Sequence, residues 1–298
     1  MSFVMHSNRL DTMPQHWLGC SSSALFARWV VVGLPYDGTT SNRPGTRFGP
    51  QAARLASWGL ETYDPLFDRD LEDYPEWLHD GGDLNLPSGN RDACLAVMKA
   101  AATSILANGQ HWLGVGGEHL VSLPVIEAYL EKYPDLAVLH FDAHTDLRDD
   151  YLGEKLSHAT VLRRVEERLQ GGMAHSLRQI GIRSGPRDEF ELMQASGSLL
   201  KSVDELAQVR SAWGQRPVFI TLDLDVLDPS ILPGTGTPEP GGLTFRELSD
   251  WLLAIDRLNF NIVGADAVEL SPDYDPSGVS SAVAAKVIRQ LMIMTLPH

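Results

Sequence analysis

The sequence predicts an α/β protein in which helices cover both faces of a parallel β-sheet. Two observations support this fold class. Short runs of apolar and β-branched residues, such as Trp29–Leu34, Leu136–Phe141 and Val218–Leu222, alternate with segments whose apolar residues have helical spacing. These runs are almost continuously apolar, which is typical of parallel strands buried on both faces. No linker-like stretch or internal repeat divides the chain, so we expect one domain over residues 1–298.

The predicted elements begin at residue 29. Besides the three strands already named, the pattern predicts strands at His111–Val115, Ser176–Ile182 and Asn261–Val268. A Gly- and Pro-rich loop follows the first strand and runs to Pro50. Helical periodicity predicts helices at Asp92–Leu106, Val121–Lys132, His158–Leu169, Thr244–Arg257 and Val279–Thr295. Residues 1–28 carry no clear pattern, and we interpret them as an N-terminal arm, either mobile or lying between subunits.

The composition argues against several functional classes. The chain has 298 residues and a formal net charge of −15 at pH 7, which disfavours a nucleic-acid partner because phosphates require a basic surface. No basic-then-apolar leader precedes the first strand, and the run Trp29–Leu34 is far shorter than the ~20 residues that a bilayer requires. Cys20 and Cys94 are too few for a disulfide framework. We therefore expect a cytoplasmic protein with reduced thiols and no membrane partner.

Polar residues follow three of the predicted strands. The strand Leu136–Phe141 is followed by Asp142-Ala143-His144-Thr145-Asp146, and Val218–Leu222 by Asp223-Leu224-Asp225. The strand at His111–Val115 leads into Gly116-Gly117-Glu118-His119, where glycines allow close backbone approach. In extended backbone, residues two apart point to the same side. Because ligands of open α/β sheets bind beyond the carboxyl ends of strands, we expect these side chains to converge.

The charge of this group predicts a metal centre. Four carboxylates and two imidazoles in one crevice would carry a charge of −4, which is unfavourable unless cations neutralise it. Two divalent ions would do so. The oxygen-rich set with two histidines and no cysteine favours two Mn²⁺, with Ni²⁺, Co²⁺ or Fe²⁺ as alternatives. Two such ions would share a water molecule and lower its pKa towards ~7, giving hydroxide at neutral pH.

These motifs resemble those of the ureohydrolases, the family of arginase, agmatinase and their relatives. The similarity covers roughly residues 29–295. Its further motifs are Arg43–Pro50, Pro233–Pro238, Gly241–Thr244 and Gly264–Glu269. The resemblance implies a three-layer αβα sandwich with a central parallel sheet of about eight strands, as in arginases and the related deacetylases. It also implies assembly as a homotrimer or homohexamer.

The resemblance also implies a role for each polar residue. One Mn²⁺ would be bound by His119, Asp142, Asp146 and Asp223. The second would share the bridging ligands Asp142 and Asp223, and its set would be completed by His144 and Asp225. His158 aligns with the proton-shuttle histidine of the family, and Glu269 with the carboxylate that binds the substrate guanidinium. Glu118 stands where arginases commonly have aspartate, and it is not a ligand in the family pattern.

The chemistry of a guanidinium explains these roles. The group is resonance-stabilised and a poor electrophile, so its hydrolysis requires a stronger nucleophile than neutral water. A metal-bridging hydroxide meets that need. Glu269 would orient the cation towards this hydroxide, and His158 would protonate the departing amine, because an imidazole titrates near neutrality.

The predicted substrate is agmatine, giving putrescine and urea, a step of polyamine biosynthesis. The segment Leu147–His158 is similar to that of bacterial agmatinases and lacks the Asn- and Ser-bearing segment with which arginases hold an α-carboxylate. Thr237 is a further predicted substrate-binding residue. Arg148 is a third, because it could pair with a carboxylate substrate such as 4-guanidinobutyrate. An ion pair of Arg148 with Asp149, Asp150 or Glu154 is the interpretation we favour.

Other functions remain as alternatives. The enzyme could be a 4-guanidinobutyrase, arginase or formimidoylglutamase. A one-zinc amidohydrolase of the deacetylase type would leave Asp146 and Asp225 without a role. A non-catalytic metal- or polyamine-binding relative would require the loss of His158 or Glu269, and both are present. The remaining polar candidates are interpreted as packed, exposed or turn-forming: His79, His111, His140, His175 and Asp228.

Overall fold

A sheet of eight parallel strands forms the centre of the protein in the computed structural model, which describes residues 16–21 and 23–297. Numbered along the chain, the strands are β1 (Trp29–Leu34), β2 (Tyr63–Asp64), β3 (Arg69–Asp70), β4 (Leu78–Asp83), β5 (His111–Gly116), β6 (Ala137–Phe141), β7 (Leu177–Ile180), β8 (Leu199–Leu200), β9 (Pro217–Asp223) and β10 (Asn261–Val268). The sheet order is β4-β1-β5-β10-β9-β6-β7-β8. Neighbouring strands are parallel throughout this sheet, and β2 pairs with β3 separately.

Helices cover both faces of the sheet. They are α1 (Gly49–Ser57), α2 (Arg91–Ala107), α3 (Ser122–Lys132), α4 (Val161–Glu166), α5 (Gly172–Ser176), α6 (Arg187–Ser196), α7 (Leu206–Trp213), α8 (Phe245–Arg257) and α9 (Val279–Met294). Trp29 and Val31 of β1 pack in one apolar cluster with side chains of α1 and α7–α9. The alternate residues Val30 and Val32 pack in a second cluster with α2–α6. The predicted three-layer αβα sandwich with an eight-stranded parallel sheet is therefore confirmed.

The central strands match the sequence prediction more closely than the edges. All seven residues of β9 are buried, as expected for a strand with neighbours on both sides. β4 and β8, at the two edges, were not predicted from the sequence. β4 reads Leu-His-Asp-Gly-Gly-Asp and is partly exposed. The predicted helix at His158–Leu169 is divided into a 3₁₀ turn at His158–Thr160 and the shorter α4.

The order of the central strands sets the position of the polar motifs. β5, β10, β9 and β6 are successive neighbours, and because they are parallel their carboxyl ends lie at the same edge of the sheet. Each of these four strands leads directly into one of the motifs singled out from the sequence. Gly117 is required at the end of β5, because a Cβ there would collide with the carbonyl oxygen of Tyr36.

The N-terminal region is described in part. Residues 1–15 and 22 of the predicted arm lie outside the described residues. Trp17 is buried, and its backbone N–H donates to the Asp80 carboxylate at 2.9 Å, so residues 16–21 pack on the edge of the sheet near β4. The division into an arm and one domain stays a prediction. Cys20 and Cys94 are buried, unpaired thiols. Within the described ranges, no helix combines the length and apolarity needed to cross a membrane.

Candidate metal centre and active site

His119 lies at the centre of the first group of polar side chains. It begins a 3₁₀ turn shortly after β5, and its Nδ1 atom lies 3.1 Å from Asp142 Oδ2 and 3.3 Å from both Asp146 Oδ2 and Asp223 Oδ2. This Nδ1 is buried and has no hydrogen-bond partner among the described residues. A buried nitrogen facing three carboxylates without a hydrogen bond fits the donor set of a divalent cation.

A second group lies beside the first and shares Asp142. His144 Nδ1 lies 3.0 Å from Asp225 Oδ2 and 3.4 Å from Asp142 Oδ1. Donor atoms within 4.8 Å of one another define two candidate metal-binding groups, His119–His140–Asp142–Asp146 and Asp142–His144–Asp225. All six predicted ligands therefore lie around Asp142, with Asp223 joined to the first group through His119.

Backbone N–H groups hold these carboxylates in place. The N–H of Asp225 donates to Asp223 Oδ1 at 2.8 Å, and the N–H of His144 donates to Asp142 Oδ1 at 2.6 Å. The N–H of Ala143 donates to Asp225 Oδ1 at 3.1 Å, which links the ends of β6 and β9. The backbone of the strand ends therefore orients these three carboxylates.

The electrostatics of the group are unbalanced. Burial and the neighbouring Asp142 raise the pKa of Asp146 to about 7, and burial together with Asp225 and Asp142 raises the pKa of Asp223 well above its usual range. Burial alone would raise the pKa of Asp142. The imidazoles around it have the opposite and larger effect, so this pKa lies well below its usual range. Such opposed shifts arise when several carboxylates share one buried space. Divalent cations would remove the repulsion that causes them.

His140 contacts one of the predicted metal ligands. It is fully buried, which agrees with its interpretation as a packed histidine. In addition, its Nε2 lies 2.8 Å from Asp142 Oδ2, and its Nδ1 lies 3.2 Å from the amide nitrogen of Gln179. Since that amide can only donate, it fixes the imidazole tautomer that donates from Nε2 to Asp142. The signal in the sequence was the two-residue spacing, which places His140 on the same side of β6 as Asp142.

A cavity of about 430 Å³ opens over the polar group. It is lined by Ser41, His119, His144, Thr145, Asp146, Arg148, Tyr151, His158, Ala159, Ser184, Gly185, Pro186, Asp223, Thr237 and Glu269. All four residues predicted to act on the substrate, including Arg148 and Thr237, belong to this lining. The structure thus brings the predicted metal ligands and the predicted substrate-binding residues to one cavity.

Glu269 follows β10 and is buried at the floor of this cavity. Its Oε1 accepts the backbone N–H of His119 at 2.7 Å. Its φ of 69° lies in the left-handed region, which is uncommon for a residue other than glycine and is a feature that recurs at functional sites. Burial, followed by the charge of Glu118, raises the pKa of Glu269 well above its usual range. A cationic ligand would stabilise the charged form of this carboxylate.

Thr237 and Arg148 occupy different parts of the lining. Thr237 Oγ donates to Asp225 Oδ2 at 3.1 Å, so it supports a predicted metal ligand. The favoured ion pair of Arg148 is wrong. Within the described ranges Arg148 forms no ion pair, since Asp149 pairs with Arg164 and Glu154 with Arg91. The Arg148 guanidinium carbon instead lies 5.3 Å from the centre of the Tyr151 ring, within range of a cation–π contact.

His158 is held between two loops. Its Nε2 lies 3.1 Å from Ser41 Oγ, and its ring meets the Tyr151 ring edge-on with centres 5.7 Å apart. Burial lowers the pKa of His158, which favours the neutral imidazole. Ser41 and Tyr151 were not among the residues predicted for the site, because neither belongs to a strand end.

The chain is similar to known proteins over most of its length. The model of the arginase family matches residues 27–294. The agmatinase of Bacillus subtilis strain 168 is 46% identical over 267 residues, covering 89% of this chain and 90% of the relative. The proclavaminate amidinohydrolase of Streptomyces clavuligerus is 35% identical over 280 residues, with 88% and 86% coverage. The crystal structure of agmatine ureohydrolase of Thermoplasma volcanium superposes with a TM-score of 0.83 at 29% identity, covering 95% of both chains.

Fold and site together define a ureohydrolase, an enzyme that hydrolyses carbon–nitrogen bonds of guanidino groups. The chain belongs to the arginase family.

Proposed function

We propose that the protein is an agmatinase, which hydrolyses the guanidinium of agmatine to putrescine and urea. One observation carries the proposal: a buried carboxylate, Glu269, lines the same cavity as four of the predicted metal ligands, namely His119, His144, Asp146 and Asp223. The high similarity to an agmatinase over most of both chains supports the choice of substrate.

The proposed cofactor is a pair of Mn²⁺ ions. The first would be held by His119, Asp142, Asp146 and Asp223, and the second by Asp142, Asp223, His144 and Asp225. The orphaned Nδ1 of His119 and the predominance of carboxylate oxygens support this assignment. Bound there, the ions would supply a water molecule activated for nucleophilic attack near neutral pH.

The side chains of the chain itself bind the substrate and move the proton. The Glu269 carboxylate binds the guanidinium and holds its carbon towards the metal centre, which replaces a random encounter by a fixed orientation. The partly buried His158 donates a proton to the departing amine. Burial lowers the pKa of His158, so the neutral imidazole is favoured at rest, and the imidazolium formed when it takes up a proton would release that proton readily to the amine. The positions of Glu269 and His158 on the same cavity lining support this division of roles.

A urea-release assay tests the proposal. The purified protein is incubated with added Mn²⁺ and a panel of agmatine, arginine, 4-guanidinobutyrate and formimidoylglutamate, with formamide measured in place of urea for the last compound. We expect urea from agmatine with the highest kcat/KM of the panel. Urea from another guanidine alone would overturn the substrate assignment. Full metal occupancy without turnover of any compound would overturn the enzymatic role and leave a metal- or polyamine-binding function.

Arg148 favours one alternative, the hydrolysis of a guanidino acid such as 4-guanidinobutyrate. It lines the cavity and lacks an ion pair within the described part of the chain. An arginine in this state suits a carboxylate at the far end of the substrate. Arg148→Gln separates the two functions. If the protein is an agmatinase, kcat/KM of this variant with agmatine stays within a few-fold of wild type or rises. If it is a guanidino-acid hydrolase, kcat/KM with the acid falls by about tenfold or more, because a charged hydrogen bond is lost.

We also infer a cytoplasmic location and a homotrimeric or homohexameric assembly. The two buried thiols support a reducing compartment. The match to the arginase family supports the assembly, because the resemblance to that family implies a trimer or hexamer. Light scattering coupled to size-exclusion chromatography distinguishes a trimer or hexamer from the monomer of 32.8 kDa.

A further inference from the structure

The segment Thr39–Ser41 contacts His158 at the cavity. The segment lies in the loop after β1, and Ser41 precedes His158 by 117 residues in the sequence. Ser41 Oγ lies 3.1 Å from His158 Nε2. Thr39 Oγ accepts the backbone N–H of His158 at 3.1 Å. One loop therefore contacts both the ring and the backbone of the predicted proton donor.

The same segment is anchored to Glu118. The Thr39 N–H lies 3.1 and 2.9 Å from the two Glu118 carboxylate oxygens, and the Thr39 hydroxyl donates to Oε1 at 2.5 Å. The Thr40 hydroxyl donates to Oε2 at 2.9 Å. Glu118 is fully buried and directly precedes His119. The carboxylate therefore ties the loop to the end of β5, next to the candidate metal centre.

Thr39 is the junction of this network. Its hydroxyl donates a hydrogen bond to Glu118 and accepts one from the backbone N–H of His158. The same hydroxyl therefore connects Glu118 to His158. Ser41 adds a contact at the ring, where the other nitrogen, Nδ1, is buried and has no partner among the described residues. Removing the Ser41 hydroxyl would leave the ring with no hydrogen bond to orient it.

We propose that Thr39 and Ser41 are positioning residues for His158, with Glu118 as the anchor of their loop. Thr39 fixes the backbone of His158, and Ser41 fixes the orientation of its ring towards the departing amine. This inference rests on the proposed function, because it concerns the residue that donates the proton. Proton transfer requires a donor within hydrogen-bond reach of the acceptor, so a loosely held ring lowers kcat.

Steady-state kinetics of single variants give the first test. Ser41→Ala and Thr39→Val should each lower kcat for agmatine by about 3- to 10-fold, the effect of one hydrogen bond, with KM and metal content unchanged. Thr39→Ser keeps the hydroxyl and should restore most of kcat. Thr40→Val is the matched control, since Thr40 contacts Glu118 and not His158, and its kcat should stay within about twofold of wild type. Wild-type kcat in both Ser41→Ala and Thr39→Val would overturn the proposal.

A double-mutant cycle shows whether these residues act through His158. In a His158→Ala background, Ser41→Ala should cause no further loss of kcat, because the group it positions is already absent. A loss equal to that of the single Ser41→Ala variant would overturn the proposal, since Ser41 would then act elsewhere. A fall in bound metal in either positioning variant would also overturn it, because the loss would then arise at the metal centre.

The reactivity of His158 provides a readout that does not depend on turnover. The Ser41 contact occupies Nε2 and Nδ1 is buried, so diethyl pyrocarbonate should modify His158 faster in Ser41→Ala than in wild type, as measured by mass spectrometry of the peptide. Equal rates would contradict the positioning contact. If wild-type protein released urea from no guanidine, the proposed function would fail, and these modification rates alone would decide whether Ser41 holds His158.

Discussion

The Nδ1 atom of His119 lies 3.1 Å from Asp142 Oδ2, yet no hydrogen bond joins them. Both side chains are buried, and a buried polar atom without a partner costs about 1–3 kcal/mol. Oxygens of Asp146 and Asp223 surround the same nitrogen at 3.3 Å. A cation bound among these atoms would satisfy the nitrogen and the three oxygens together, so the arrangement is unfavourable alone and favourable with metal.

Removal of Asp225 should reduce metal binding. Asp225 Oδ2 lies 3.0 Å from His144 Nδ1, and the Asp225→Ala variant removes two oxygens from the second candidate group. We expect at least one fewer metal ion per chain by elemental analysis after dialysis against limiting Mn²⁺. The loss of urea release should exceed the 10- to 100-fold typical of changes to outer-shell partners.

Asp228 provides the matched control for this experiment. It belongs to the same sequence motif, but its carboxylate accepts from Ser230, Gly241 and Gly242 in a turn, which confirms the turn-forming role expected from the sequence. Asp228→Asn should keep the full metal stoichiometry. Unchanged metal content in Asp225→Ala would show that Asp225 is not a ligand.

Removal of the His158 imidazole should separate catalysis from metal binding. His158→Ala should keep both ions and lose roughly 10²- to 10⁴-fold in kcat, the usual contribution of a general acid. Added imidazole should restore part of the rate. The control is His175→Ala at an exposed position, which should behave as wild type. If His158→Ala retained wild-type kcat, another group would have to protonate the amine.

The central part of the fold could be predicted from the sequence because burial on both faces imposes a simple pattern. β9 is apolar apart from Thr221 and the terminal Asp223, and β6 is apolar apart from His140, as expected for parallel strands that are buried on both faces in the middle of a sheet. The edges carry no such constraint. β4 contains two aspartates, a histidine and two glycines, and β8 has only two residues, so neither produces a recognisable period.

The site could be predicted where it depends on strand ends and not where it depends on loops. Asp142, His144 and Asp225 are placed by the backbone of β6 and β9, so their two-residue spacing was informative. Ser41 reaches His158 from a loop 117 residues away in sequence, and Tyr151 reaches it through the folding of the loop that precedes His158. The expected ion pair of Arg148 was wrong for the same reason: among the described residues, Asp149 pairs with Arg164 and Glu154 with Arg91 instead.

His111 should contribute to acid sensitivity. It lies at the start of β5, its Nδ1 is 2.8 Å from the carbonyl oxygen of Val263, and burial lowers its pKa to about 4 from 6.5. Between these pH values the unfolded chain binds more protons than the folded one, so stability is lost as the pH falls from 6.5 to 4. The shift corresponds to about 3 kcal/mol at most.

The variant His111→Gln tests this contribution. Urea unfolding at several pH values should show a smaller decrease in the free energy of unfolding between pH 6.5 and 4 for the variant than for wild type. The comparison cancels titrating groups common to both proteins, including those of the metal centre. Parallel pH profiles would mean that His111 is not held neutral in the folded protein.

Replacement of Glu269 by glutamine should weaken guanidinium recognition without removing metal. The glutamine side chain of the Glu269→Gln variant is close in shape to the native glutamate. In the native protein the backbone N–H of His119 donates to Glu269 Oε1 at 2.7 Å. The glutamine can still accept this hydrogen bond, but it lacks the charge that pairs with a cation. A charged hydrogen bond contributes about 1.5–3 kcal/mol, so we expect kcat/KM for agmatine to fall by about 10- to 150-fold. Elemental analysis should show unchanged metal content.

Glu239→Gln, in a neighbouring loop outside the cavity lining, should keep wild-type kcat/KM. If Glu269→Gln lost metal in proportion to activity, Glu269 would belong to the metal centre and the guanidinium would require another anion.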